Sequence, residues 1–169
     1  KAPKCNSFGA LLFCVGRYTI YNMEIILGFG SNIGNKQATI EQAYDMLAKT
    51  LGKMKACSSF IETEPWGFES KDKFINSVAV FETFLSPLEA LKVCNETEYA
   101  LGRRRNNEVG YSSRTIDIDI LFCEDRIIST EQLQVPHPLI DKRNFVLIPL
   151  KEIVPDFVHP LLNKKIKDI

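Results

Sequence analysis

The chain has no apolar run near the roughly 20 residues that a bilayer-spanning helix needs, so no membrane partner is expected. It has no excess of either charge: 21 Lys and Arg balance 21 Asp and Glu, giving a formal net charge of zero. A protein that gains its affinity from phosphate contacts along a duplex carries a surplus of cations, so a nucleic-acid partner is disfavoured. There is no C-x-x-C pair among the five cysteines, Cys5, Cys14, Cys57, Cys94 and Cys123. Their odd number and scatter support neither a disulfide framework nor a zinc site, and suit a cytoplasmic, reducing setting. Internal repeats and low-complexity stretches are also missing. What remains is an ordinary globular composition, 45% apolar and 25% charged over 169 residues, enough for one core.

Residues 1–22 carry Lys1 and Lys4 and then a short apolar stretch from Phe8 to Val15. The stretch is short for a signal peptide and no clear small-residue cleavage site follows. The reading adopted is a leader or expression-derived segment outside the fold, followed by a single domain over 23–169.

From Met23 the pattern is regular. Residues 23–30 read as a strand that ends in a turn with three glycines, Gly28, Gly30 and Gly34. A helix follows over 36–50, with Ile40, Ala43, Leu47 and Leu51 spaced to form one apolar stripe, and Gly52 stops it. Strands are expected over 54–62 and 74–84, separated by a loop containing Pro65 and Gly67. Ser86-Pro87-Leu88-Glu89 is a capping box with proline at the first helical position, opening a helix to about Leu101. Thr115–Cys123 reads as an alternating strand. A hairpin around Arg126–Leu133 and a helix near 141–152 complete the chain. The order β-α-β-β-α-β predicts an α+β, ferredoxin-like split βαβ sandwich: an antiparallel sheet with helices on one face, plus a C-terminal hairpin and helix.

Chemistry concentrates between Gly102 and Phe122. Alternation from Thr115 places Ile116, Ile118, Ile120 and Phe122 on the helix-covered face. Asp117 and Asp119 then share the other face, about 7 Å apart along the strand. Carboxylates so spaced either face water or converge on divalent cations of the magnesium type, hard ions that also take oxygens from phosphates. Arg103, Arg104, Arg105 and Arg114 lie within twelve residues of a chain without net charge. They are either a solvated basic turn at a helix end or a clamp for phosphate oxygens, which guanidinium groups meet in planar pairs. Side by side, the two sets suggest metal-assisted phosphoryl chemistry on a nucleotide. Glu98 falls in register with Leu91, Cys94 and Leu101 on the inner stripe of its helix; it either reaches solvent at the stripe's edge or lines the site. Gly28-x-Gly30-x-x-x-Gly34 departs from the G-x-G-x-x-G spacing of a dinucleotide-binding turn, and the parallel crossover is missing.

Gly30-Ser31-Asn32, Thr63-x-Pro65-x-Gly67, Arg114-Thr115-Ile116-Asp117-Ile118-Asp119 and Val135-Pro136-His137-Pro138, in this order, resemble the 6-hydroxymethyl-7,8-dihydropterin pyrophosphokinases of folate biosynthesis. The resemblance runs over essentially the whole chain from Met23. It implies transfer of a pyrophosphoryl group from ATP to the pterin hydroxymethyl with release of AMP, on a ferredoxin-like domain with two Mg2+ ions. By the same resemblance Asp117 and Asp119 are metal ligands. Arg103 and Arg114 act on the phosphates, and Arg105 belongs with Arg103 on a lid. Glu98, Tyr111, His137 and Arg143 lie on the nucleotide side. Phe74 and Phe145 sandwich the pterin, with Asn76 and Thr63 as polar anchors. For the two phenylalanines, core packing is the competing reading. Gly110-Tyr111-Ser112-Ser113 departs from the family's usual lid sequence, and Gln132 and Gln134 replace Arg and Thr used by some members towards ATP. A ferredoxin-like RNA-binding module, or another two-metal nucleotidyl transferase, are the alternatives. A monomer or weak dimer is expected.

Overall fold

A computed structural model describes residues 13–15, 18–20, 22–65, 72–104 and 114–169. Arg105, Tyr111 and most of the expected lid therefore lie outside the described residues. Ahead of Met23, β1 (Phe13–Val15) and β2 (Tyr18–Ile20) pair with each other as an antiparallel hairpin.

The next elements alternate as the apolar spacing requires: β3 (Met23–Ser31), α1 (Lys36–Thr50), β4 (Lys53–Cys57), β5 (Ile61–Thr63), β6 (Phe74–Thr83), α2 (Pro87–Ala100) and β7 (Asp117–Cys123). The main sheet runs β4-β6-β3-β7 with every neighbour antiparallel, which is the split βαβ order. Both helix starts use side-chain caps. Asn35 Oδ1 accepts from Ala38 N at 3.3 Å. Ser86 and Glu89 form the reciprocal box, with Ser86 N donating to Glu89 Oε2 at 2.8 Å.

The stripe on α1 is fully inside. Ile40, Ala43, Leu47 and Leu51 pack with Ala90 and Cys94 of α2 onto Ile25, Leu27, Phe29, Phe81, Ile118 and Ile120 of the sheet. Each large apolar side chain so buried contributes about 1.5–3 kcal/mol. Tyr44 of α1 donates to Ser77 Oγ at 2.7 Å, and burial pushes its phenol up to about 12.

The rest of the chain continues as β8 (Ile128–Ser129), β9 (Gln134–Val135), a 3-10 turn at Ile140–Lys142, α3 (Asn144–Ile153), β10 (Val158–His159) and β11 (Lys164–Lys165). The helix expected near 141–152 is thus split at Arg143. It does not join the first two helices. α3 crosses the opposite face, where Val146, Leu147 and Leu150 pack on Ile26, Val78, Val80, Leu121 and Phe122. The sheet is therefore covered on both faces over part of its length.

Two strand expectations need correction. The single strand over 54–62 is two short strands that share the edge of β6. Between them, Glu152 of α3 accepts from Ser59 N and Ser59 Oγ, at 2.9 and 2.8 Å to Oε1. That carboxylate takes the place of a ladder partner. The strand over 115–123 does not alternate without a break. It begins at Asp117, and the β3–β7 register slips between Ile26 and Leu27. Ile120 faces Leu27 and Phe122 faces Ile26, leaving Leu121 as the extra residue of a bulge. Phe122 therefore turns to the α3 face, not to the face of Ile118 and Ile120.

Gly52, expected as a helix stop, sits at φ +151°. A Cβ there would lie 2.2 Å from the Glu82 carbonyl oxygen. Gly52→Ala is expected to destabilise the fold by more than about 1 kcal/mol, measured as a lower denaturant midpoint at unchanged slope.

Candidate active site

On β3, Ile25, Leu27 and Phe29 point to the first two helices, so Ile26, Gly28 and Gly30 point the other way. Ile26 is covered by α3. Gly28 and Gly30 have no side chains to offer; the Leu121 side chain leans over Gly28, 3.3 Å from where a Cβ would lie, and both glycines line a cleft. A cleft of about 740 Å³ occupies this ground, with Phe74, Asn76, Asp117, Asp119 and Phe145 among its lining. The register places Gly30 between Asn76 and Asp117, and Gly28 between Val78 and Asp119.

The strand β7 delivers both aspartates to the cleft. Ile116 and Ile118 are anchored below in the core, and the alternation turns Asp117 and Asp119 upward. Two guanidinium groups neutralise Asp117: Arg103 bonds Oδ1 and Arg114 bonds Oδ2. Arg103 also reaches Glu98 Oε1 at 2.5 Å. Glu98 is only 3% exposed, which settles its two readings against a solvent-facing edge. The same oxygen accepts from Ile118 N at 2.8 Å, so Glu98 fastens the peptide between the two aspartates. Asp119 is different. Its side chain is 41% exposed to the cleft, yet burial and the charge of Asp117 push its carboxyl above the usual range, while Arg143 pulls it back.

His137 Nε2 stands 4.0 Å from Asp119 Oδ2. Burial and the nearby Arg143 hold the imidazole below its ordinary pKa. Its place is set by its backbone N, which donates to Leu121 O at 3.0 Å. Arg143 is 7% exposed and lies just ahead of α3. Its carbonyl accepts from Val146 N and Leu147 N, each at 2.9 Å, and its guanidinium is 5.7 Å from the ring centre of Phe145.

At the other end of the cleft, Asn76 Nδ2 donates to Thr63 Oγ1 at 2.8 Å. Phe74 and Phe145 both line the cleft and neither is fully buried, and Phe145 also packs against the apolar layer beneath α3. The structure thus brings together Thr63, Phe74, Asn76, Glu98, Arg103, Arg114, Asp117, Asp119, His137, Arg143 and Phe145 along one cleft. Gln132 and Gln134 line it too. Arg105 and Tyr111 fall outside the described residues.

Ser31 and Asn32, beyond their place in the motif, have a structural task. Ser31 Oγ donates to Thr115 O at 2.6 Å, and Asn32 Oδ1 accepts from Arg114 N at 2.7 Å. This polar pair at the end of β3 fixes where Arg114 enters β7. Two short hydrogen-bonding residues closing a strand were its available signal.

An RNA module of this topology stacks bases on an open sheet face. Here α3 covers much of that face and carboxylates line the remainder.

Comparison with known proteins agrees with this geometry. Residues 26–155 match the family model of 7,8-dihydro-6-hydroxymethylpterin-pyrophosphokinase. The 2-amino-4-hydroxy-6-hydroxymethyldihydropteridine pyrophosphokinase of Aquifex aeolicus is 38% identical over 144 residues, covering 85% of this chain and 88% of its own. That of Methylorubrum extorquens is 44% identical over 133 residues, covering 78% and 83%. Among solved structures, an HPPK-DHPS in complex with substrates superposes with a TM-score of 0.70 at 17% identity. Plasmodium falciparum HPPK-DHPS with pteroate also gives 0.70, at 18%. Each covers 87% of this chain, which spans only 42% and 41% of those longer proteins, and at such identities they show the fold alone. On the family match and the sequence identity, the chain belongs to the 7,8-dihydro-6-hydroxymethylpterin pyrophosphokinase family.

Proposed function

We propose that this cleft transfers the pyrophosphoryl group of ATP to the hydroxymethyl oxygen of 6-hydroxymethyl-7,8-dihydropterin, releasing AMP, as a step of folate biosynthesis. The observation that carries the reading is the convergence of two unlike surfaces in one cleft. One end is flat and apolar with an amide, the other is a ladder of carboxylates and guanidinium groups. A heterocycle suits the first and a polyphosphate the second.

In this assignment Phe74 and Phe145 stack on the pterin, and Asn76 with Thr63 anchors its polar edge. Arg143 and His137 lie on the nucleotide side, with Glu98, Arg105 and Tyr111. Arg103 and Arg114 neutralise charge on the phosphates. For that, both must move from Asp117 to phosphate oxygens, and Asp117 then needs another cation. The donor set fits two Mg2+ ions: two hard carboxylates at alternate positions of one strand, both lining one cleft. When bound, such ions supply charge neutralisation on the transferring and leaving oxygens. Among the described residues no three His, Cys, Asp or Glu side chains gather as a cation cage, so most of the remaining ligands would be phosphate oxygens and water.

The chain's own residues bind and orient. The hydroxymethyl oxygen attacks the β-phosphorus, the bond from that phosphorus to the α-phosphate's bridging oxygen breaks, and the hydroxyl proton passes to solvent. Holding both partners in line supplies much of the acceleration, and preset charges stabilise the oxygens as they gain charge.

The catalytic domain is taken as residues 23–169. The chain is taken to act as a monomer or weak dimer. Cys57, Cys94 and Cys123 are free thiols, which supports a cytoplasmic setting. Among the described residues no helix is long and apolar enough to cross a membrane.

Incubation with ATP and Mg2+ should yield AMP only when the hydroxymethyl-dihydropterin is present; AMP formed equally without it would overturn the reading. Asp117→Ala or Asp119→Ala is expected to slow turnover about a thousandfold, roughly 4 kcal/mol; Asp119→Ala should leave the unfolding temperature unchanged, whereas Asp117→Ala should also lower it, because it strands Arg103 and Arg114. Phe145→Ala is expected to weaken pterin binding by about 1–3 kcal/mol, by analogy with base–aromatic stacking. Calorimetry should show ATP affinity little changed.

A further inference from the structure

We propose that Gly30 is a specificity-determining position, and that its missing side chain is what lets a flat heterocycle donate a hydrogen bond to Asn76. The proposal rests on the pterin assignment above and adds a residue to it.

Glycine is usually required in a chain for its backbone freedom. That reason does not apply to Gly30. The glycines in the left-handed region among those described are Gly34, Gly52 and Gly102. Gly30 lies within β3, paired on both sides, where any residue could adopt the backbone. A glycine inside a strand costs stability relative to a residue with a side chain, so space is the remaining physical reason for it.

The space is specific. A Cβ on Gly30 would point into the cleft, 3.1 Å from Asn76 Oδ1, 3.7 Å from Phe74 Cδ1 and 4.0 Å from Asp117 Cβ. No main-chain atom is among these neighbours, so the strand itself could accept the methyl. The distance to Asn76 is the telling one. A ligand N–H donating to Oδ1 must place its nitrogen about 2.9 Å from that oxygen. An alanine methyl at 3.1 Å would crowd that oxygen on the cleft side and compete with a ligand nitrogen approaching it from there. Thr63 takes the Asn76 amide nitrogen, which fixes the amide with Oδ1 as its cleft-facing acceptor. Gly30 therefore keeps clear the ground between the acceptor and the first aspartate, where the ring edge meets the reacting end. A ligand without an N–H on that edge would leave Oδ1 without a donor in a half-enclosed site, and would be rejected for it.

Four proteins test this: the wild type, Gly30→Ala, Asn76→Ala and the double variant. Each is titrated with 6-hydroxymethyl-7,8-dihydropterin in the presence of a non-hydrolysable ATP analogue, and separately with the analogue alone. Gly30→Ala should weaken pterin binding about tenfold, the loss of one good hydrogen bond, while leaving the analogue's affinity and the unfolding temperature unchanged. In the Asn76→Ala background the same substitution should cost less than about threefold, because the acceptor it blocks is gone. Equal losses in both backgrounds, or wild-type binding by Gly30→Ala, would overturn the proposal. Wild-type pterin binding by Asn76→Ala would instead sink the pterin assignment beneath it. If Gly30→Ala does not fold, Asn76→Gln pushes the amide one methylene into the same space and should weaken the pterin to a similar degree. Unaltered binding by that variant would likewise overturn the role of Gly30.

Discussion

A carboxylate set into a hydrophobic sheet must be given a counter-charge, and Asp117 is given two. Arg103 and Arg114 reach its two oxygens from opposite sides. Glu98 balances Arg103 from below and ties down the peptide of Ile118. Breaking a buried pair by removing one member is more costly than never having built it. The four groups therefore hold one another in place: the end of α2, the entry to β7 and the upward turn of the aspartates are a single electrostatic object. Asn32 and Ser31 lock the same entry from the neighbouring strand. The remaining cleft is arranged around this fixed corner.

The corner also explains how a strongly charged site is stable without ligand. The carboxyl groups of Glu98, Asp117 and Asp119 stand against the guanidinium groups of Arg103, Arg114 and Arg143, three of each. The cleft is thus close to neutral, like the chain as a whole. A nucleotide entering with its cations adds little net charge, so binding becomes an exchange of partners. Guanidinium groups pass from carboxylate to phosphate, and carboxylates from guanidinium to cation. Exchange of this kind avoids leaving any ion desolvated and alone, the state that low-dielectric surroundings penalise most.

Much of this was legible in the residues. The spacing of Ile40, Ala43, Leu47 and Leu51, the capping box at Ser86 and the alternation around Asp117 and Asp119 are local signals, and local signals survive folding. The pairing of arginines with aspartates was legible as a juxtaposition, though not as a contact. The failures were tertiary. Whether Glu98 faces solvent depends on Arg103 folding back over it. The break between β4 and β5 depends on Glu152, far along the chain, reaching Ser59. The side of the sheet taken by α3 depends on which face β3 leaves apolar at Ile26 and bare at Gly28 and Gly30. None of these is written within a single element.

The bulge at Leu121 has a further consequence. Because strand faces swap with every residue, a strand of uninterrupted alternation would commit both of its ends to one pattern. β7 departs from that: Leu121 and Phe122 both turn to the α3 layer, on the face where the aspartates also stand, and Cys123 returns to the opposite core. The supernumerary residue gives that layer two adjacent large apolar side chains from one strand. The charged end of β7 thus stands on a doubled apolar foot, which a deletion at Leu121 would halve without turning the aspartates out of the cleft.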